Sequence, residues 1–334
     1  MAITIRDVAR AASLSCETIL EVLVSPSSLE PEVVRHVMRV IRETGYLETF
    51  SRWKGGSKGS MVAVISSSVD SLSGTEIYRG IDRAMSALGL NLNMMTFPTR
   101  HSPALREELL ASLLPFNMID AVITLNVSPS ESIVERYKSV GKALVLCQSK
   151  VQGSLSVLLE NQKGMSMAVD YLYNRGCRRI ALMNGPSSVA EPGSSPSERL
   201  IGYLMALHRL GMNFDEKLVY ETQDYDGDSG AHGFEYFFGR RPLPDGLVCA
   251  SGDMTAIGFI TEARKNGVQV PSDIAVIGYD DLPLASLVSP ALTTIRQRLM
   301  IAGAGALVLA LESAVLGPGS DLIIVPEIVP RETA

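Results

Sequence analysis

The stretch VPSDIAVIGYDDLPLASLVSPALTTIRQ at residues 270–297 contains the pattern that decides the fold. Its apolar run IAVIGYDD has the length and composition of a buried strand. Working back along the chain to Met61, similar short apolar runs alternate with stretches of helical periodicity. This alternation predicts parallel sheets covered by helices, and about ten strands in roughly 230 residues fit two similar α/β lobes better than one sheet.

A cleft between two such lobes is the natural place for a ligand, because open parallel sheets bind ligands at the carboxyl ends of their strands. We expect residues 61–334 to form this sensor. The N-terminal lobe is predicted at about residues 61–158 and 290–319, and the C-terminal lobe at about 159–289 and 320–334.

Residues 1–47 have a different pattern, that of an all-α head of three short helices. Thr4 and Asp7 form a variant of the capping box before the first helix, and Ser15 can cap a second helix, CETILEVLV. A third helix is predicted from Pro31. Two short helices joined by a turn, with a third in support, are typical of a helix-turn-helix domain that binds DNA.

Residues 48–60 are predicted to be a linker or hinge, since Gly55, Gly56 and Gly59 disfavour a stable helix. Residues 1–60 carry eight Lys/Arg and seven Asp/Glu, whereas the whole chain has a net charge of −6. The head is therefore only weakly basic for a protein that would bind a polyanion. The four cysteines lie far apart and are expected to be reduced thiols in a cytoplasmic protein, because no apolar signal core precedes the head.

Five segments resemble the lactose-repressor (LacI/GalR) family of transcription regulators, and together they extend over nearly the whole chain. They are ITIRDVARAASLS at 3–15, YRGIDRAMSALG at 78–89, RGCRRIALMNGP at 175–186, SERLIGYLMAL at 197–207 and the stretch at 270–297. The resemblance implies sensor lobes like those of periplasmic sugar-binding proteins. It also implies a homodimer, a sugar-like effector and release from operator DNA by allostery. No C-terminal tetramerisation helix follows, which favours a dimer.

The resemblance also implies effector-binding residues. Arg199 matches the ligand-binding arginine of the family, and Asp280 matches its sugar-binding aspartate; a salt bridge and a helix N-cap are the respective structural alternatives. Tyr225 aligns with the aromatic residue that stacks on the sugar, or is a surface tyrosine. The remaining candidates are Asp253, whose usual Asn neighbour is Gly252 here, Ser66 after the first strand, and Cys147, where several members have Asp.

The candidate DNA contacts lie at the head and the linker. They are Thr4, Ser15, Cys16, Glu17, Thr18, Arg52 and Lys54. The family usually has Thr-Val-Ser-Arg in its recognition helix, whereas this chain has Thr18, Ile19, Leu20 and Glu21. A carboxylate beside phosphates is repelled, although it can accept a hydrogen bond from cytosine. Arg52 and Lys54 either contact the DNA backbone or belong to a solvated linker.

Two hypotheses therefore stay open: a sequence-specific repressor with an unusual operator, and a sensor or partner-binding protein whose head has lost ordinary operator binding. An enzyme is disfavoured, because the four histidines form no catalytic or metal-binding motif and no phosphate-binding loop is present. The sequence predicts no cofactor and no metal.

Replacing Glu21 by arginine tests whether the predicted recognition helix approaches DNA. Glu21→Arg replaces a repulsive charge with an attractive one and should strengthen duplex binding at low salt. A binding titration at several salt concentrations measures the effect. An unchanged affinity would mean that this helix does not approach DNA.

Overall fold

A computed structural model describes residues 3–54, 60–69, 71–186, 193–240 and 242–334. The chain forms two compact units. The first contains Met1–Leu158 and Leu299–Ile324, and the second contains Leu159–Arg298 and Val325–Ala334. The helical head lies within the first unit.

Eleven α-helices and twelve strands occur in the described residues. The helices are α1 (Ile5–Ala12), α2 (Cys16–Val24), α3 (Pro31–Glu43), α4 (Leu72–Leu88), α5 (Pro103–Leu113), α6 (Glu131–Ser139), α7 (Asn161–Asn174), α8 (Ser195–Arg209), α9 (Gly227–Phe238), α10 (Asp253–Lys265) and α11 (Leu299–Leu316). The strands are β1 (Met61–Ser66), β2 (Asn93–Pro98), β3 (Ile119–Leu125), β4 (Ala143–Cys147), β5 (Leu155–Leu159), β6 (Ile180–Asn184), β7 (Val219–Glu221), β8 (Gly246–Cys249), β9 (Ala275–Asp280), β10 (Thr293–Arg296), β11 (Leu322–Ile324) and β12 (Glu327–Val329).

Each unit contains one six-stranded sheet. The strand order is β11-β5-β4-β3-β1-β2 in the first unit and β12-β10-β9-β8-β6-β7 in the second. The pairs among β1 to β5 are parallel, as are those among β6 to β10, and β12 is antiparallel to its neighbour β10. The predicted class of two parallel α/β sheets with a helical head is confirmed.

The points where the chain passes between the units differ from the predicted ones. Residues 290–298 were expected in the first lobe, but β10 pairs with β9 in the second sheet. Residues 320–324 were expected in the second lobe, but β11 belongs to the first sheet. Strands β10 and β11 have only four and three residues, which is too short a stretch for periodicity to assign them to a sheet.

The head has the predicted capping contacts. The Thr4 hydroxyl accepts a hydrogen bond from the Asp7 backbone N–H, and the Asp7 carboxylate accepts one from the Thr4 N–H. The Ser15 hydroxyl accepts a hydrogen bond from the Thr18 N–H at 3.1 Å. These bonds satisfy N–H groups that have no partner inside the helices and therefore define where α1 and α2 begin.

The first part of the predicted linker is helical, which corrects the expectation of an unstructured hinge. Tyr46–Trp53 forms a 3-10 helix, and its aromatic residues Tyr46, Phe50 and Trp53 are fully buried. Apolar burial of this aromatic row stabilises a conformation that local propensity does not favour. Gly55, Gly56, Lys58 and Gly59 lie outside the described residues.

Helix α11 was not predicted, because it is apolar on nearly every side and so lacks the 3.6-residue alternation of an amphipathic helix. It is long and apolar enough to cross a membrane by length and composition, yet 72% of it is buried inside the protein. Gly80 of α4 faces the Met300 carbonyl, and Gly303 of α11 faces the Ile77 carbonyl, so close that a Cβ would overlap either one. The two helices therefore pack backbone against backbone.

Candidate effector site and DNA-reading surface

Arg199 is positioned by α8 and is 93% buried in the second unit, with a relative exposure of 7%. Its Nε donates to the Asn161 side-chain oxygen at 2.9 Å, and its Nη1 donates to the Ala250 carbonyl at 2.6 Å. The guanidinium carbon lies 4.2 Å from the centroid of the Tyr279 ring. A buried cation needs such hydrogen bonds and a polarisable ring to offset its lost hydration.

Asp280 ends β9 and belongs to the same cluster. Gln297 donates a hydrogen bond from its side-chain amide to the Asp280 carboxylate. Burial raises the pKa of Asp280 to about 6, and the charge of Arg199 and the Gln297 bond partly oppose this rise. Asp280 is also in the left-handed region with a φ of 114°, which is unusual for a residue with a side chain.

Gly252 borders the Asp280 carboxylate. A Cβ at Gly252 would lie 3.3 Å from Asp280 Oδ2, and the glycine has a φ of +116°. The family's Asn at this position would therefore be strained here and would crowd the carboxylate. Glycine at this position avoids both the backbone strain and the contact with Asp280.

Several buried side-chain oxygens at this edge of the second sheet have no hydrogen-bond partner among the described residues. Asn184 Oδ1 lies at the end of β6, Ser251 Oγ and Gln297 Oε1 follow β8 and β10, and Ser194 Oγ directly precedes α8. Buried polar atoms are normally paired, because leaving one without a partner costs about 1–3 kcal/mol. Water or the hydroxyls of a polar ligand can satisfy them.

Tyr225 lies near this cluster, on the loop before α9. A Cβ at Gly185 would come within 3 Å of the Tyr225 ring and hydroxyl, so the tyrosine packs over the backbone at the end of β6. Burial raises the pKa of the Tyr225 hydroxyl. The charge of Arg199 opposes this rise, and the charge of Asp280 adds to it. Tyr225 is nonetheless 42% exposed, so its ring offers a face to a ligand.

Asp253 is fully buried and hydrogen-bonded within the second unit, and its role as an effector contact stays a prediction. Its Oδ1 accepts a hydrogen bond from the Thr294 hydroxyl at 2.6 Å, and its Oδ2 accepts one from the Leu282 N–H at 2.7 Å. Burial and the nearby Asp280 raise the pKa of Asp253 well above its usual value. Asp253 therefore connects β10 to the turn after β9 and positions Asp280 indirectly.

Ser66 and Cys147 lie in the first unit, at the carboxyl ends of β1 and β4. The Ser66 hydroxyl donates to the Ser68 carbonyl and accepts from the Tyr78 hydroxyl, both at 2.9 Å. The Cys147 side chain is fully buried, and burial raises its pKa to about 12, so the thiol stays neutral. As described, both side chains are enclosed by their own unit, and Cys147 presents no surface to an effector.

Sequence reasoning missed Asn161, Asn184, Ser251 and Gln297. Asn184 ends β6, Gln297 directly follows β10, and Ser251 lies two residues beyond the end of β8. The end of a strand in a parallel sheet was the available signal, because such ends meet at one edge. Asn161 carried no such signal, since it begins helix α7 and contacts the cluster through Arg199 and Tyr279.

The predicted DNA contacts divide into two groups. Thr4 and Ser15 are occupied as helix caps, and Cys16, Glu17 and Thr18 are half-buried on α2. In the linker, Arg52 forms an ion pair with Asp120 at 2.9 Å and lies 5.7 Å from the Trp53 ring, whereas Lys54 is exposed. Arg52 is therefore engaged by the first unit in this conformation and does not extend as a free linker cation.

The chain is similar in sequence and fold to known proteins. Residues 169–334 match the family model for a periplasmic binding protein-like domain. The repressor CytR of Escherichia coli is 26% identical over 328 residues, which cover 96% of this chain and 94% of CytR.

Two solved structures extend the similarity to ligand-bound proteins. The transcriptional regulator CelR in complex with cellobiose is 25% identical, with a TM-score of 0.71, and the match covers 99% of this chain and all of that one. A LacI family transcriptional regulator from Lactobacillus casei with bound sucrose is 25% identical, also with a TM-score of 0.71, over 82% of this chain and all of its own.

The raised pKa of Asp280 predicts a specific pH dependence of stability. The folded protein holds this proton more tightly than the unfolded chain, so the contribution of Asp280 to the free energy of unfolding falls as the pH rises from about 4 to about 6. Asp280→Asn should remove that fall, as measured by urea unfolding across this range. The same charge change at the exposed Asp228 should retain it. Identical slopes in the wild type and Asp280→Asn would contradict the assigned shift.

Proposed function

The chain belongs to the LacI family of transcription regulators, and on that premise we propose that it is an effector-controlled repressor. In this proposal, the head at residues 1–47 binds operator DNA as a homodimer inside the cell. The second unit supplies most of the effector contacts through Arg199 and Asp280. The chain senses a molecule and does not convert it.

The observation that carries the effector proposal is the buried polar cluster at the carboxyl edge of the second sheet. It combines a cation, a carboxylate and side-chain oxygens that need hydrogen-bond donors. A guanidinium has five N–H donors, so its bonds to Asn161 and Ala250 leave donors for a ligand. A molecule that both donates and accepts many hydrogen bonds therefore fits best.

A sugar or sugar acid has this chemistry. Its hydroxyls can donate to Asp280 and accept from Arg199, and its C–H face can pack on the ring of Tyr225. The cellobiose and sucrose in the two similar structures support this class of effector.

A second function is favoured by the surface of α2. Leu20, which stands where the family usually has Ser, is fully buried, and Glu17 and Glu21 add negative charge beside it. These residues favour a sensor or partner-binding protein whose head does not bind an ordinary operator. Duplex binding distinguishes this alternative from the repressor.

The effector proposal predicts stabilisation by a sugar-like compound through Arg199. A panel of sugars and sugar acids is screened by thermal shift, where a ligand at about a hundred times its Kd stabilises by ~2.7 kcal/mol. Arg199→Ala should weaken binding by about tenfold to a hundredfold, because charge-assisted hydrogen bonds are lost. Arg209→Ala, at the exposed end of the same helix, is the matched control and should bind normally. A compound that stabilises wild type and Arg199→Ala equally would place the effector site elsewhere.

The repressor proposal predicts salt-dependent, sequence-preferring binding to DNA from upstream of the gene. The logarithm of the binding constant should fall linearly with the logarithm of the salt concentration, with a slope set by the phosphates contacted. Specific sites typically bind about a thousandfold or more tightly than random duplex. Equal affinity for upstream and random duplex, with and without an identified effector, would support the alternative function.

A further inference from the structure

The side of helix α2 that carries Leu20 packs against α4 and α11 of the first unit, and the neighbouring Glu17, Thr18 and Glu21 are half-buried. Along a helix, residues 16, 20 and 24 recur on one side. Leu20 is fully buried, and its Cδ1 would lie 3.4 Å from a Cβ at Gly305 of α11. At the end of α2, Arg83 of α4 donates from Nη1 to the Val24 carbonyl at 2.6 Å. The side that reads bases in related heads thus packs on α11 and α4.

A buried carboxyl group at Glu312 of α11 holds the head at a second point. Its Oε1 accepts hydrogen bonds from the Ile5 N–H at 2.6 Å and from the Tyr46 hydroxyl at 2.9 Å. Glu312 is 5% exposed. It therefore connects α11 to the start of α1 and to the 3-10 helix that follows α3.

A third contact closes the edge of the same interface. Arg6 of α1 donates from Nη2 to the carbonyls of Ser320 and Asp321, each at 2.7 Å. The interface thus combines apolar burial at Leu20 with hydrogen bonds at Glu312, Arg83 and Arg6. Those bonds involve the end of α2, the helix α1 and the 3-10 helix, so they specify one orientation of the head.

From these contacts we propose that the reading face of α2 is an intramolecular docking element, which holds the head on α11 and α4 in an autoinhibited arrangement. A duplex needs the same face, so DNA and the α11–α4 surface compete for α2. The consequence for DNA binding rests on the proposed function, whereas the docking itself does not. Only a head that has left this surface can insert α2 into a major groove.

The docking contact also explains Leu20. A serine at this position, as the family usually has, would bury a hydroxyl against Gly305 and lose apolar contact with α11. The Leu20 side chain packs beside Gly305, where α11 has no side chain. The departure from the family's reading face is therefore accounted for by packing within this chain.

Trp53 gives a direct measure of docking, because it is the only tryptophan of the chain and is fully buried in the 3-10 helix. Leu20→Ser should shift its emission to longer wavelength and raise amide exchange over Tyr46–Trp53 by about a hundredfold. Met38→Ser changes an exposed apolar residue of α3 and should leave both signals unchanged. Circular dichroism reports whether the head keeps its helices.

Glu312 provides a second pair of variants that leave the head's own sequence intact. Glu312→Ala removes the acceptor for Ile5 and Tyr46 and should release the head, whereas Glu312→Gln keeps an oxygen acceptor and should retain docking. Burial also raises the pKa of Glu312 to about 7, and the charge of Asp7 adds to this rise. The hydrogen bonds from Ile5 and Tyr46 and the charge of Arg6 oppose it. Since the docked head favours the protonated acid, wild-type docking should weaken as the pH rises from about 4.5 to about 7 and then level off, and Glu312→Gln should lose this dependence.

The outcomes separate the docking proposal from the proposed function. Docking would be overturned if both Leu20→Ser and Glu312→Ala kept the Trp53 emission and the amide exchange of the wild type, whatever the duplex affinity of these variants. Release of the head with a gain in duplex affinity for Glu312→Ala, whose reading face is unchanged, would support docking and the repressor together. Release without any gain in duplex affinity would support docking as a packing contact and overturn the repressor function.

Discussion

The first unit depends on the need to cover helix α11 on every side. Thirteen of its residues, Leu299 and Ile301 to Glu312, are buried. Burying apolar surface yields about 25 cal/mol per Å², so an uncovered side of such a helix would be costly in water. The sheet and α4 cover part of it, and helix α2 with the aromatic 3-10 helix covers another part. The head is therefore a structural component of the first unit as well as a candidate DNA-binding domain.

The second unit is organised around a different constraint, the burial of a cation. Arg199 is kept in the protein interior by Asn161, the Ala250 carbonyl and the Tyr279 ring, and its charge in turn favours ionisation of Asp280. A single substitution in this group would leave another polar partner buried and unpaired, which costs more than the lost bond. These residues are thus held rigidly before any ligand arrives, which reduces the entropy lost on binding.

The sequence predicted the regular elements well, because long amphipathic helices and central parallel strands carry strong periodic signals. The caps at Thr4 and Ser15 were predictable for the same local reason. Three features were not predictable from local patterns. Helix α11 lacks periodicity, the burial of Asp253 depends on Thr294, which is 41 residues away, and the pairing of Arg52 with Asp120 is a tertiary contact.

For the effector site, resemblance to a family identified Arg199 and Asp280. The unpaired oxygens of Asn184, Ser251 and Gln297 could be identified only in the folded structure. Motif comparison locates residues that many members share. It cannot locate polar atoms whose importance comes from burial, because burial is a property of the folded neighbourhood.

The fold changes the meaning of the mismatched residues on the reading face of α2. Viewed along the sequence, Leu20 is a lost DNA contact, and it argues against operator binding. In the fold it is a gained contact, since it fills space above Gly305 of α11. A head that exchanges between a docked and a free state binds DNA with an apparent affinity reduced by the fraction that is free. Residues that strengthen docking therefore weaken DNA binding without touching DNA, and a weakly basic head does not by itself distinguish a degenerate repressor from a restrained one. The distinction lies in whether the free head, once populated, prefers a duplex to the surface of α11.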